Sequence, residues 1–174
     1  YDLVAYKRDG KMKKLIAALD EHVREVEFCQ QDRELLLRWI QNGVFQPRFC
    51  MNSANNDNTV TQPWMYEENL PYVREAYNLR YRLLPYLYSL MYESNQDGMP
   101  AWRPLFLEFP DDPKCYTDKS LTFMFGKSIL VANVVEKGAT TRSLYLPAGS
   151  KWYDMNDNLR EYEGGQTIEV PITL

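Results

Sequence analysis

Residues 34–64 read ELLLRWIQNGVFQPRFCMNSANNDNTVTQPW, and this stretch decides the fold class because it joins a helix, a glycine stop, an apolar segment and a polar loop. Helical spacing places four apolar side chains on one face: Leu35, Leu36, Trp39 and Ile40. Arg38 and Gln41 are expected to point away from that face. Gly43 is expected to end the helix, because glycine adopts left-handed dihedrals without a Cβ penalty.

The segment after the helix is predicted to form a short buried strand or an extended entry to the loop, since Val44, Phe45 and Phe49 surround Pro47. The residues that follow are almost all hydrogen-bonding: Asn52, Ser53, Asn55, Asn56, Asp57, Asn58 and Thr59. Such side chains bond their own backbone in turns, so composition alone favours a solvated turn. The alternative is a ligand surface, because barrels and doubly wound sheets place functional residues in loops after their strands.

Composition excludes several classes of protein. The chain has 174 residues and 45% apolar content, which is enough for a buried core and argues against disorder. A net charge of -4 gives no basic surface for nucleic acid, and the lysines near the start are interpreted as a solvated helix face. No apolar run reaches about 18 residues, so no membrane span is predicted.

Cysteine and histidine usage gives no metal-binding pattern. Cys29, Cys50 and Cys115 lack metal-binding spacing and cannot all pair with one another, which favours a reducing compartment and therefore a cytoplasmic location. His22 is the single histidine, so no multi-histidine metal site can form within the chain.

Two further helices are predicted on either side of the opening stretch. Residues 11–28 keep a helical apolar stripe, and residues 66–92 form the strongest helix. Pro71 suits its first turn, whereas Pro85 is expected to kink or split it. The tyrosines of this helix could stack on sugar rings, but their spread around the helix favours packing with a solvated hydroxyl.

The second half of the chain is predicted to be a sheet. Residues 101–109 read as a strand, and the PDDP sequence that follows is expected to break the structure. Four more strands are predicted, separated by turns, as in an antiparallel sandwich or barrel: 128–135, 141–146, 151–153 and 167–172. The predicted domains are 1–117 and 118–174. Because the chain begins at Tyr1 and stops within an apolar strand, we expect a piece of a longer protein.

Six ordered blocks carry a resemblance to a known family: RWIQNGVFQPRF (38–49), NDNTVTQPW (56–64), LRYRLLPYLYSL (79–90), RPLFLEFPDDP (103–113), FMFGKSILVANVVEKGATTRSLYLP (123–147) and WYD with YEGGQTIEV (152–154, 162–170). Together they resemble glycoside hydrolase family 31, which contains retaining α-glucosidases and α-xylosidases. The resemblance implies an α/β plus all-β fold. The C-terminal segment of a (β/α)8 TIM barrel would be followed by an incomplete antiparallel β-sandwich, the proximal C-terminal one.

The same resemblance implies which site residues the chain holds. The polar loop would follow barrel strand seven, and residues 101–109 would be strand eight. The loop usually carries a histidine that contacts the sugar, and Asn52 stands at that place, so Asn52 is the expected substrate-binding residue. The family's two catalytic aspartates lie upstream of the matched region, and WYDM at 152–155 only superficially resembles one of their motifs. We therefore expect no catalytic residue in this chain.

Two functional hypotheses follow. In the first, the chain is part of an α-glucosidase-like enzyme acting on α-linked oligosaccharides, without metal or cofactor. In the second, it is a non-catalytic carbohydrate-binding or structural module. A partial barrel exposes strand edges and an apolar face. We therefore expect it to associate with itself, or with a preceding part of the protein.

Overall fold

The computed structural model describes residues 27–51, 53–54, 60–65 and 67–172. Two long helices dominate its first half: α1 spans Glu27–Gly43 and α2 spans Leu70–Asp97. Helix α1 ends at Gly43, where the stop was predicted, but Gly43 does not adopt the left-handed conformation that was expected to cause it. Most of the helix predicted over residues 11–28 lies outside the described residues.

The buried face of α1 differs from the predicted one. Leu37 and Ile40 are buried against Val73 and Ala76 of α2, whereas Trp39 is 57% exposed. Arg38, predicted to face solvent, is only 3% exposed. It tolerates burial because Glu34 accepts hydrogen bonds from its guanidinium, and a backbone carbonyl of the second half of the chain accepts another. The apolar face is therefore rotated relative to the prediction.

Residues 44–48 form turns and bends rather than a strand, so the strand alternative predicted for this segment is wrong. The amides of Val44, Phe45 and Gln46 donate to Ile40, Asn42 and Gly43, at 3.1, 3.2 and 3.0 Å. These local bonds use the groups that a strand ladder would need.

Beyond the turns, strands β1 (Ser53–Ala54) and β2 (Val60–Thr61) pair antiparallel. The residues that join them, 55–59, lie outside the described residues. Two single-turn 3-10 helices, Pro63–Met65 and Glu67–Asn69, then lead into α2. The chain from β1 to α2 thus consists of short elements with few backbone ladder bonds.

Helix α2 begins at Leu70 with Pro71 in its first turn, as predicted, and it continues as one helix past Pro85. The expectation that Pro85 splits it is wrong, because the carbonyl deprived of a donor belongs to Tyr81, which is exposed to water. Gly98, in the left-handed region at φ +78°, ends the helix by donating to Ser94 O. The exposed aromatic residues of α2 agree with tyrosines that keep a solvated hydroxyl: Tyr72, Tyr81, Tyr88 and Tyr92.

A three-stranded antiparallel sheet follows, in the order β3-β4-β5, formed by Trp102–Pro104, Thr122–Phe125 and Ile129–Ala132. The predicted strand over 101–109 is therefore wrong in its second half, where α3 occupies Leu105–Glu108. The helical turn buries Leu105 against Cys115 and Met124, a contact that a straight strand would not make.

The pairing of β3 with β4 spans the predicted boundary at residues 117 and 118. A short helix, α4 (Lys114–Thr117), lies between the two strands in sequence. Residues from both predicted domains thus share one sheet, and the boundary itself remains a prediction.

The last four strands form two antiparallel pairs. Strand β6 (Thr141–Leu146) pairs with β9 (Gln166–Pro171), and β7 (Lys151–Asp154) pairs with β8 (Arg160–Glu163). Every pairing among the described residues is antiparallel, as predicted for this half, and none of their sheets closes into a barrel.

The main core joins α2 to the three-stranded sheet. Its buried members come from α2, β4, β5 and the start of β3: Leu87, Leu90, Ala101, Phe123, Phe125 and Val131. Phe45 extends this core toward α1, since its ring meets Phe125 edge-on at 5.9 Å. The turns after α1 are therefore attached to the centre of the molecule. None of the described helices is long and apolar enough to cross a bilayer.

Asp112 joins the PDDP segment to the C-terminal strands. One carboxylate oxygen accepts hydrogen bonds from Tyr145 OH at 2.6 Å and from Ala148 N at 3.0 Å, and the other accepts from Lys114 N at 3.1 Å. These bonds favour the ionised carboxylate. The bond from Ala148 makes the largest contribution to lowering the pKa of Asp112 below 3.8, and the bond from Tyr145 follows.

We expect Asp112→Asn to destabilise the chain at pH 6 and to have a smaller effect near pH 3. Because the folded-state pKa is depressed, the stabilisation is present above the unfolded value of about 3.9 and is lost as the pH falls through the folded-state pKa. Urea unfolding at both pH values measures the difference from wild type. Asp111→Asn is the matched control. If Asp112→Asn lowers the free energy of unfolding equally at both pH values, the ionised carboxylate of Asp112 is not the source of the stabilisation.

Candidate functional site

Asn52, the residue expected to bind substrate, lies outside the described residues. Its neighbour Met51 is described and lines a cleft of about 560 Å³. The cleft is formed by the segment after α1, by the 3-10 turn Pro63–Met65 and by the first half of α2. Its size falls within the range of small-molecule sites, about 300–1,000 Å³. The structure therefore places an open surface cleft at Met51, the residue that precedes Asn52 in the sequence.

Aromatic and apolar side chains form most of the cleft wall. The rings of Phe49 and Tyr77 lie 4.9 Å apart, and Val73 lies beside them in the wall. Trp64 is 64% exposed at the cleft, so its ring is available to a ligand. Arg74 and Gln62 supply polar groups. This combination suits a ligand with an apolar face and hydrogen-bonding edges.

The charged groups of the cleft provide binding chemistry but no acid/base pair. Among the described residues that line it there is no Asp or Glu. Tyr77 is partly buried, and this burial, with smaller effects of Cys50 and Tyr81, raises its phenol pKa above 10, so it is a neutral hydrogen-bonding group at pH 7. Within the described part of the chain, no three His, Cys, Asp or Glu side chains are grouped as metal ligands would be.

Arg80 supports the cleft wall from behind. Its guanidinium donates to the carbonyl oxygens of Val44, Gln46 and Pro47, at 2.7, 2.6 and 3.1 Å. It also lies 5.9 Å from the centre of the Phe49 ring. This role was not predicted from the sequence, although the position of Arg80 in the helix indicates it. Arg80 lies within the apolar stripe of α2, where a charge requires buried partners.

A second buried arginine has a different role. Arg103 is fully buried and forms an ion pair with Glu108, and its other terminal nitrogen lies 3.9 Å from Glu93. Glu108 is the close partner, whereas the Glu93 contact is too long for a hydrogen bond and leaves Glu93 Oε2 and Arg103 Nη2 without a hydrogen-bond partner. This cluster is a structural connection.

Asp154, in the WYDM sequence, stabilises a turn. Its side-chain oxygen accepts a hydrogen bond from Asn156 N at 2.8 Å, and its carbonyl accepts one from Leu159 N at 3.0 Å. Both bonds close the loop between β7 and β8. The likeness of WYDM to a catalytic motif therefore has a structural explanation.

Family comparison gives two matches along the chain. Residues 25–90 match the model described as the glycosyl hydrolases family 31 TIM-barrel domain, and residues 98–174 match that of the glycosyl hydrolase family 31 C-terminal domain. The chain belongs to glycosyl hydrolase family 31. Both parts of the predicted fold class, a TIM-barrel segment and a C-terminal β domain, are thereby confirmed.

Individual relatives agree with this family. The chain is 41% identical over 144 residues to a probable glucan 1,3-α-glucosidase of Arabidopsis thaliana, covering 82% of this chain and 15% of that protein. It is 40% identical over 160 residues to human neutral α-glucosidase C, covering 86% of this chain and 17% of that protein. The chain thus spans about a sixth of the length of these relatives.

Solved structures of the family share the fold. The chain superposes on a GH31 dextranase of Flavobacterium johnsoniae, a mutant complexed with isomaltotriose, with a TM-score of 0.72 and 38% identity. The superposition covers 80% of this chain and 17% of that one. The family resemblance found in the sequence blocks is therefore confirmed in three dimensions, whereas the role of Asn52 stays a prediction.

Proposed function

We propose that this chain is part of a retaining α-glycosidase, α-glucosidase-like, that hydrolyses α-linked oligosaccharides. The main support is the cleft lined by Phe49, Met51 and Trp64, which offers aromatic walls and polar groups to a sugar but contains no described carboxylate. The names of the relatives agree with the substrate class. In this proposal the catalytic residues lie outside the chain, and no metal or cofactor takes part.

Retaining hydrolysis requires two carboxyl groups about 5–5.5 Å apart, one as nucleophile and one as acid/base. The proposed contribution of this chain is to hold the sugar while those groups act on it. Asn52 suits that task because its amide both donates and accepts hydrogen bonds and stays neutral at every pH. Trp64 and the Phe49–Tyr77 pair would face the apolar surface of the ring.

The isolated chain is expected to bind sugar and not to cleave it. Incubation with an aryl α-glucoside tests this directly, with release of the aryl alcohol as the readout. Steady turnover by the purified 174-residue chain would overturn the claim that its catalytic carboxylates lie elsewhere.

We expect Asn52→Ala to weaken sugar binding by about 5- to 10-fold, the equivalent of one net hydrogen bond. Calorimetric titration with isomaltotriose measures the effect. Asn156→Ala, in the turn between β7 and β8, is the control and is expected to bind as wild type does. Unchanged affinity in Asn52→Ala would remove this residue from the site.

The second candidate is a non-catalytic carbohydrate-binding or structural module, which the lack of a described carboxylate at the cleft also favours. Calorimetric titration distinguishes a carbohydrate-binding module from a structural one. A chain that gives no heat with isomaltotriose, glucose or maltose has only a structural role. Sugar binding together with an upstream reading frame encoding both aspartate motifs favours the enzyme.

The exposed apolar side chains also support a proposal about association. Trp39, Trp64, Leu84 and Met91 are exposed on the helical half of the chain. We propose that this half either self-associates or docks on a preceding part of the protein. Sedimentation of a monodisperse monomer that binds no hydrophobic dye would argue against self-association. The free thiols of Cys50 and Cys115 are in keeping with the proposed cytoplasmic location.

A further inference from the structure

Arg80 makes all of its hydrogen bonds to one short segment of backbone. The three carbonyls that it binds belong to Val44, Gln46 and Pro47, and they lie between the end of α1 and the cleft. Arg80 is 8% exposed, so these contacts are shielded from water. No carboxylate is paired with its guanidinium among the described residues, and the carbonyl oxygens are its polar partners. The guanidinium of Arg80 therefore holds the backbone of residues 44–47 in place.

The segment bound by Arg80 continues directly into the cleft wall. Phe49 lies under the guanidinium and against the ring of Tyr77. Gly43 leaves room for Phe49, because a Cβ added there would lie 3.0 Å from its ring. The side chains of Cys50 and Met51 line the cleft immediately afterwards. Only a few bonds then separate this fixed segment from Asn52.

We propose that Arg80 is a positioning residue that sets where the chain leaves the turns after α1, and thereby where Phe49, Cys50 and Met51 line the cleft. This inference rests on the proposed function, in which the cleft binds sugar. Arg80 itself does not line the cleft. Its effect on binding passes through the backbone of residues 44–51.

The geometry requires arginine at this position. A planar guanidinium directs separate N–H groups at carbonyls that lie in different directions, and its carbon lies 5.9 Å from the centre of the Phe49 ring. A lysine at position 80 would keep the charge but would present a compact ammonium group on a flexible stem. The substitution Arg80→Lys therefore removes the three directed hydrogen bonds to backbone carbonyls and retains the positive charge.

The experiment compares Arg80→Lys with Arg38→Met in the full 174-residue chain. Arg38 is an equally buried arginine, but the carbonyl that it binds belongs to Ala139, in the loop between β5 and β6. Both substitutions are expected to lower stability. Only Arg80→Lys is expected to speed amide hydrogen exchange locally in residues 44–51, by about 10-fold beyond the change seen in the α2 core amides.

Isomaltotriose titration supplies the second measurement. We expect affinity to fall by about 10-fold in Arg80→Lys and to stay at the wild-type value in Arg38→Met. Local exchange that matches Arg38→Met, or unchanged sugar affinity in Arg80→Lys, would overturn the inference. If the wild-type chain binds neither isomaltotriose nor glucose nor maltose, the proposal that this cleft binds sugar fails. The exchange measurement then decides alone whether Arg80 orders the segment.

Discussion

Replacement of Arg103 by methionine is expected to lower the free energy of unfolding by about 3–5 kcal/mol. The side chain of Arg103 is completely buried and lies between the side chains of Glu108 and Glu93. Its Nε also donates to Pro100 O at 2.6 Å, which fixes the chain at the start of β3. Methionine fills a similar volume but leaves the two carboxylates without their cation.

Urea unfolding of the two proteins measures this loss. Arg160→Met is the matched control, since Arg160 is exposed and its ion pair with Asp157 is 3.7 Å long, so a change within about 1 kcal/mol is expected. Combining Arg103→Met with Glu93→Gln and Glu108→Gln should recover part of the stability, because the unpaired charges are removed. A single variant as stable as the control would show that this buried cluster does not hold α2 against β3.

Replacement of Gly126 by alanine is expected to cost about 2–5 kcal/mol, from a strained backbone and an overfilled core. Gly126 follows β4 with φ +64°, and a Cβ there would collide with Tyr86 OH and lie 2.5 Å from Leu90 Cδ2. Tyr86 cannot move freely, because its hydroxyl donates to Phe125 O at 3.2 Å. The substitution must therefore separate α2 from the sheet or rotate the Tyr86 ring.

Gly138→Ala isolates the backbone contribution to that loss. Gly138 has a similar φ of +69°, but a Cβ there would meet no atom within 4 Å. About 1–2 kcal/mol is expected for its strain alone. Thermal and urea unfolding of both variants gives the comparison, and equal losses would show that the contacts of Gly126 with α2 have no energetic weight.

The sequence predicted the elements that local chemistry determines. Pro71 fits a first turn because its missing amide is not needed there. Helix α1 ends at Gly43 as predicted, although not in the left-handed conformation that was expected. Strand β6 appears over residues 141–146 as predicted, since apolar residues alternate there beside turn residues. The blocks of family resemblance added the fold class, which local patterns left open.

The failures lie where a distant partner overrides the local pattern. Arg38 reads as a solvated position, yet Glu34 and Ala139 satisfy its charge inside the fold. Residues 44–49 read as a strand, but Arg80, more than 30 positions later, binds the carbonyls that a ladder would use. Neither partner can be found by reading a window of neighbouring residues. The cleft lined by Phe49 and Met51 is likewise visible only after α2 has been placed.

The pairing of β3 with β4 has a consequence for how the chain gains its structure. Strand β3 belongs to the first predicted domain and β4 to the second, and the fully buried Met124 and Phe125 lie opposite Arg103 and Trp102. During synthesis, β3 and the end of α2 cannot form these contacts until residues 122–132 have left the ribosome. Because of this pairing we expect the two halves to unfold together, and a cut between them would expose an unpaired strand edge beside apolar side chains, a known route to aggregation.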